Sequence, residues 1–166
     1  MPSTHTTALY LYSAQRLASL VAANNILSLF NPATSGKAMT IGAFFVSCVG
    51  GVAGTTYPLR GYRITTEPTG GTAVTTAEIC AFDTQRFSPA ALLRTGNPAV
   101  GTLGAALFNS PSTIVKDVVG QVHEVDAPGG FNPFVLRPGE GVVMRQDVGA
   151  VGVLWNVSII WRELRG

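Results

Sequence analysis

The stretch "VGVLWNVSIIWRE", Val151 to Glu163, limits the fold more than any other part of the chain. Val151, Val153, Trp155, Val157, Ile159 and Trp161 recur at every second position. Gly152, Asn156, Ser158 and Arg162 fall between them, joined by the apolar Leu154 and Ile160. Side chains on a strand point alternately to its two faces, so this spacing predicts a half-buried strand. "GVVMRQD" precedes it across "VGA". A connection as short as Gly149-Ala150 predicts a terminal β-hairpin.

The rest of the chain is punctuated in the same style. It holds 19 Gly and 10 Pro in 166 residues, and only 12% of residues are charged. That composition suits short strands and tight turns better than long helices, in which Gly and Pro cost most. "NPATSGK", "EPTGGT", "APGGFNP" and "LRPGEG" read as turns. "PLRGYRITT" alternates, with Tyr62 and Ile64 on one face and Arg63 and Thr65 on the other. "AMTIGAFFVSCV" is apolar at both parities, which predicts a central strand covered on both faces. From Leu9 to Asn24, "ALYLY" alternates like a strand, while Leu17, Leu20, Val21 and Asn24 keep helical spacing; we read a strand. Pro89, Gly96, Pro98, Gly101, Gly104 and Pro111 break up the segment from Phe87 to Thr113, and a loop that long suggests function or an interface. The expected fold is all-β, a single-domain antiparallel sandwich or jelly roll over residues 9–166, with residues 1–8 as an extended N-terminal arm.

Residues carrying chemistry are few and scattered. His5 lies in the arm, and His123 neighbours Glu124 on a strand, so the pair points to opposite faces and cannot share a metal or a proton. No set of zinc ligands is recognisable. A cupin-like metal site would need a histidine pair near a proline-glycine turn, and "LRPGEG" has none beside it. There is no G-x-S-x-G, P-loop or dinucleotide fingerprint. Glu140 sits at the apex of "LRPGEG", isolated from the other acids. The expectation is a chain that is not an enzyme and binds no cofactor or metal. Carboxylate pairs of glycosidases need not be close in sequence, so spacing alone does not test for one.

Net charge is +2 and the basic residues do not cluster, which argues against nucleic acid as a partner. Arg60 and Arg63 stand three apart on one strand and face opposite sides. Ala38 to Leu59 is uncharged and long enough to span a bilayer, but Gly50-Gly51, Gly54 and Pro58 favour a buried strand and a turn, so no membrane segment is expected. The N-terminus has no basic region of a secretory signal. Cys48 and Cys80 sit in apolar surroundings and read as buried, reduced thiols; a disulfide is allowed but not implied.

"NNILSLFNPATSGKAMTIGAFFVS", the "TGGTAVT" turn, "FVLRPGEGVVMRQ" and the closing "GVLWNVSIIWRE" together resemble small β-sandwich structural proteins of tailed bacteriophage virions. The likeness covers roughly Asn24 to Glu163 and is one of turns and strands. It implies a virion protein, assembled in the host cytoplasm, that decorates and stabilises the capsid shell. The implied partners are the major capsid protein and copies of itself, with a homotrimer as the unit. The alternative within the same resemblance is a head-fibre or tail accessory protein with a carbohydrate- or receptor-binding jelly roll. Tyr10, Tyr12 and Tyr57 are the aromatics such a sugar site could use, although packing or an interface is their more ordinary place. The expected interface residues are Pro2, Ser3, Thr4, His5, Thr6 and Thr7 of the arm, with Tyr10, Tyr12, Phe87, Leu92 and Leu93.

Overall fold

The computed structural model describes residues 7–21, 23–50, 58–82, 88–109, 123–126, 134–147 and 153–165. They form two antiparallel sheets packed face to face, an all-β sandwich. The strands are β1 (Thr7–Ala18), β2 (Asn24–Asn31), β3 (Lys37–Gly50), β4 (Leu59–Ile64), β5 (Thr72–Ala73), β6 (Cys80–Ala81), β7 (Leu92–Thr95), β8 (Ala106–Asn109), β9 (His123–Asp126), β10 (Phe134–Leu136), β11 (Glu140–Gln146) and β12 (Leu154–Arg165). One turn of 3-10 helix spans Thr76–Glu78. The first sheet runs β10-β3-β12-β1-β6, with β9 also on β3; the second runs β5-β7-β2-β11-β4-β8. No helix among the described residues is long and apolar enough to cross a membrane.

The terminal alternation sets the core. Val153, Trp155, Val157, Ile159 and Trp161 all point inward and are buried. Tyr10 stacks on Trp161 with ring centroids 5.4 Å apart. Leu27, Leu29, Val142 and Met144 meet them from the second sheet. Each such side chain contributes about 1.5–3 kcal/mol on leaving water.

The expected terminal hairpin does not form. β11 pairs with β2 and β4 in the second sheet, and β12 pairs with β1 and β3 in the first. The two strands face each other across the core, where Trp155 Nε1 donates to Gln146 Oε1 at 2.9 Å. Alternation fixes which face of a strand is buried. It does not fix its neighbour, and two strands in opposite layers satisfy the same pattern.

β3 also departs from expectation. It is interior to its sheet, but only one of its faces is fully buried. Its register skips Gly42: Ile41 pairs with Trp161, and Ala43 with Ile160. This bulge switches the inward parity from Met39 and Ile41 to Phe44, Val46 and Cys48. A strand that changes parity is apolar at odd and at even positions, which imitates a strand covered on both sides. β1 does the same between Ala14 and Leu17, with Arg16 in the left-handed region at φ 56°. The helix-like spacing of Leu17, Leu20, Val21 and Asn24 instead falls across the end of β1 and the connection to β2, where Leu20 and Val21 are exposed. The strand reading is correct from Thr7 to Ala18. Thr7 and Ala8, expected in the arm, already pair with Leu164 and Glu163.

The punctuated segment after Phe87 is held against the body over residues 88–109. It supplies β7 and β8, and between them Val100 and Leu103 cover Phe30, Ile64 and Val143 on the outer face of the second sheet. Asn25 fixes this cover, because its Nδ2 donates to Pro98 O at 2.8 Å and its backbone N–H to Asn97 Oδ1 at 3.1 Å.

Candidate functional site

Among the described residues, polar side chains gather at one end of the sandwich, at Asp147 and on the outer face of the first sheet. The end of the sandwich holds both turns of the phage-like pattern. "NPATSGK" carries the chain from β2 to β3, and "LRPGEG" carries it from β10 to β11, so each crosses between sheets. The crossings lie side by side, tied by the buried Asn31. Its Nδ2 donates to Lys37 O at 2.8 Å and to Leu136 O at 3.0 Å, and its Oδ1 accepts from the Ser35 hydroxyl at 2.6 Å. Gly139 N–H donates to Asn31 O at 2.8 Å, with Gly139 at φ +85°, a value that favours glycine.

Glu163 closes this end. It continues the inward parity of the tryptophans and is 2% exposed. Oε2 meets Lys37 Nζ at 2.6 Å. Oε1 accepts from the backbone N–H groups of Ala90 and Ala91 at 2.8 and 3.1 Å and from Trp161 Nε1 at 3.3 Å. A buried charge is tolerable when it is paired and hydrogen-bonded to this degree. The carboxylate ties the first sheet to the segment entering β7. It reads as a structural clamp, with its oxygens occupied by the protein's own donors.

Other acids are similarly engaged. Glu140 is half-buried, contrary to the expectation of isolation. Its Oε2 accepts from Arg137 N–H at 2.8 Å and pairs with Arg63 Nη1 at 2.9 Å. Glu78 Oε2 accepts from the N–H and hydroxyl of Thr75 at 2.7 and 2.8 Å, and these bonds hold its carboxyl below the usual range. Asp147 gathers Arg60 Nη1 at 3.1 Å, Tyr62 Oη at 2.5 Å and Arg145 Nε at 3.1 Å. Burial, then the bond to Asp147, raises the Tyr62 phenol above its ordinary pKa. Among the described residues, no group of three or more His, Cys, Asp or Glu side chains is placed to hold a metal ion.

The outer face of the first sheet is of another kind. Register places its residues in rows across β10, β3, β12 and β1. Val135, Thr40, Arg162 and Leu9 form one row, and Ala43, Ile160 and Leu11 the next. Phe45, Ser158 and Ser13 follow, then Ser47 and Asn156. Beyond the first row, Leu164 lies between Ala38 and Thr7. Among the side chains described, the half nearest Thr7 is apolar apart from Arg162 and Thr40, and register sets Asp126 of β9 beside Ala43; Leu164 is 38% and Val135 43% exposed. Phe82, also exposed, follows β6 beside it, its N–H on Leu9 O at 3.0 Å. The other half is polar, with Glu124 of β9 in register beside Phe45, and holds a shallow cavity of about 200 Å3.

The expected interface residues separate. Leu92 is exposed. Tyr10, Tyr12 and Leu93 are core side chains with no surface to offer a partner, because their parity turns them inward; this corrects the expectation. Thr7 begins β1, while Pro2, Ser3, Thr4, His5, Thr6 and Phe87, like Tyr57, lie outside the described residues. Cys48 is buried as expected, and burial raises its thiol pKa against an opposing hydrogen bond with the Gly50 backbone. Cys80 is exposed instead, because β6 is a two-residue edge strand. The half-exposed outer face was missed because Leu9, Leu11 and Ile160 look like core residues until register places them outside. None of the family models, curated proteins or solved structures compared with this chain matches it.

Proposed function

We propose that this chain is a non-enzymatic structural protein of a tailed-phage virion. In this reading it stabilises the capsid shell by bridging neighbouring shell subunits. The observation that supports docking is the apolar half of the outer face, with Leu9, Leu11, Val135, Ile160 and Leu164, where β1 begins. Interfaces are depleted in charge at their centres, and this half carries mainly aliphatic side chains. The N-terminal residues enter the fold beside it, so an arm and a face would engage the same neighbour. The virion assignment itself rests on the sequence resemblance.

Purified particles analysed by quantitative mass spectrometry should contain the chain in fixed proportion to the shell subunit. Leu164→Asp and Val135→Asp should each abolish rebinding to stripped shells while leaving the thermal midpoint unchanged, because both side chains are already exposed. Deletion of residues 2–6 should weaken rebinding in the same assay. A chain absent from particles, or both aspartate variants rebinding like the parent, refutes the proposal.

A further inference from the structure

We infer that the polar half of the same face is a binding site for a neutral, polyhydroxylated ring, a single sugar unit of a glycan. The cavity is lined by Ser13, Gln15, Phe45, Ser47, Asn156 and Ser158, with Val46 at its base. Its volume of about 200 Å3 lies below the ~300–1,000 Å3 of sites for drug-sized ligands, so it suits one ring. Among the described residues the lining offers hydroxyls, carboxamides and one aromatic side chain but no ionisable group, and register sets Glu124 of β9 next to Phe45 at its border. A neutral ligand rich in hydroxyls matches that set, since each hydroxyl both donates and accepts.

The lining groups are prepared for an occupant. Ser47 is only 8% exposed, yet it lines the cavity, and among the described residues its hydroxyl makes no hydrogen bond. Asn156 Oδ1 accepts from Arg16 N–H at 2.9 Å. A backbone N–H can only donate, so this bond fixes the amide's orientation and leaves Nδ2 as the donor for an occupant. Arg16 is the left-handed residue of the β1 bulge. Bulges re-aim side chains beside binding sites, and a non-glycine residue in this conformation carries a cost that surrounding structure must hold. Gln15, the other bulge residue, lines the cavity with its carboxamide unpaired among the described residues. Ser13 and Ser158 hydroxyls bond each other at 2.8 Å and retain further lone pairs. The half-buried Phe45 supplies an apolar surface for the C–H face of a ring.

The site stands independently of the shell-binding proposal, because it uses different residues and a different ligand class. The test is titration of the 15N-labelled chain with glucose, galactose and N-acetylglucosamine, following the side-chain amide signals of Gln15 and Asn156. At least one sugar should shift both signals saturably. Gln15→Ala and Asn156→Asp, which keeps the acceptor for Arg16 N–H and removes the donor, should each weaken binding about three- to tenfold, the worth of one hydrogen bond. Backbone spectra of both variants report whether the fold is kept. No saturable shift with any of the three sugars overturns the inference, as does binding unchanged in both folded variants. Shifts of the same signals on raising protein concentration without sugar would make the cavity a protein contact and overturn it too.

Discussion

The Lys37–Glu163 pair gives a prediction with a built-in asymmetry. The Glu163 side chain is 1% exposed and that of Lys37 18%, so the two partners do not lose the same thing when the other is removed. In Lys37→Met the carboxylate stays charged and buried without its cation. Breaking a buried pair in this way costs about 3–5 kcal/mol. The N–H groups of Ala90 and Ala91 and the Trp161 indole still donate to Oε1, which holds the cost near the lower figure. In Glu163→Gln the amide oxygen keeps accepting from Ala90 and Ala91, and the lysine turns its ammonium to water. The loss is then one charge-assisted hydrogen bond, about 1.5–3 kcal/mol. The double variant leaves neither charge and should be more stable than Lys37→Met alone. Urea unfolding with constant m-values measures all three. For a chain of this size each kcal/mol moves the thermal midpoint by about 2–4 °C, so Lys37→Met should melt roughly 6–12 °C lower. Hydrogen exchange at Ala90 and Ala91 should accelerate in Glu163→Ala. If Glu163→Gln costs as much as Lys37→Met, or the double variant shows the sum of both losses, the buried-carboxylate reasoning fails.

Two further outcomes follow from the same geometry. In "PGEG" the two glycines should differ: Gly139 has φ +85° with open space around it, so Gly139→Asn should cost less than ~1 kcal/mol, since Asn visits this region readily. At Gly141 a Cβ would stand 2.6 Å from Leu29 O and 2.7 Å from Phe30 Cδ2, so Gly141→Ala should cost about 1–3 kcal/mol by urea midpoint; equal losses at the two positions would contradict this. Burial, reinforced by Glu163 at Tyr10 and by Glu78 at Tyr12, raises both phenols above the ordinary value of 10.0. The folded values lie above the unfolded ones, so this stabilisation is complete below pH ~10 and is lost as pH rises through the folded values. Thermal midpoints measured from pH 8 to 12 should fall above pH ~10, with a shallower fall in Tyr10→Phe; an identical slope in that variant would sink the assignment.

Much of the fold was legible because alternation and turn residues are local properties. Trp155, Val157, Ile159 and Trp161 point inward as their spacing requires. Pro138 and Gly139 make the turn that their types suggest. The candidate sites were less legible, because chemistry depends on which rows meet. Ser13, Ser47 and Asn156 are separated widely in sequence and converge only through the pairing of β1, β12 and β3. Glu163 looks like a tail charge until its parity carries it under the core, where Lys37 and two amides meet it. By itself, the sequence determined that the chain is built of strands, which side of most strands is buried, and where the chain turns. Only the tertiary structure decided that β11 and β12 lie in opposite layers, that bulges at Gly42 and Arg16 exchange inner for outer positions, and which face remains open. Alternation records a strand's own two sides, whereas neighbours and register are set by how the layers close over a shared core.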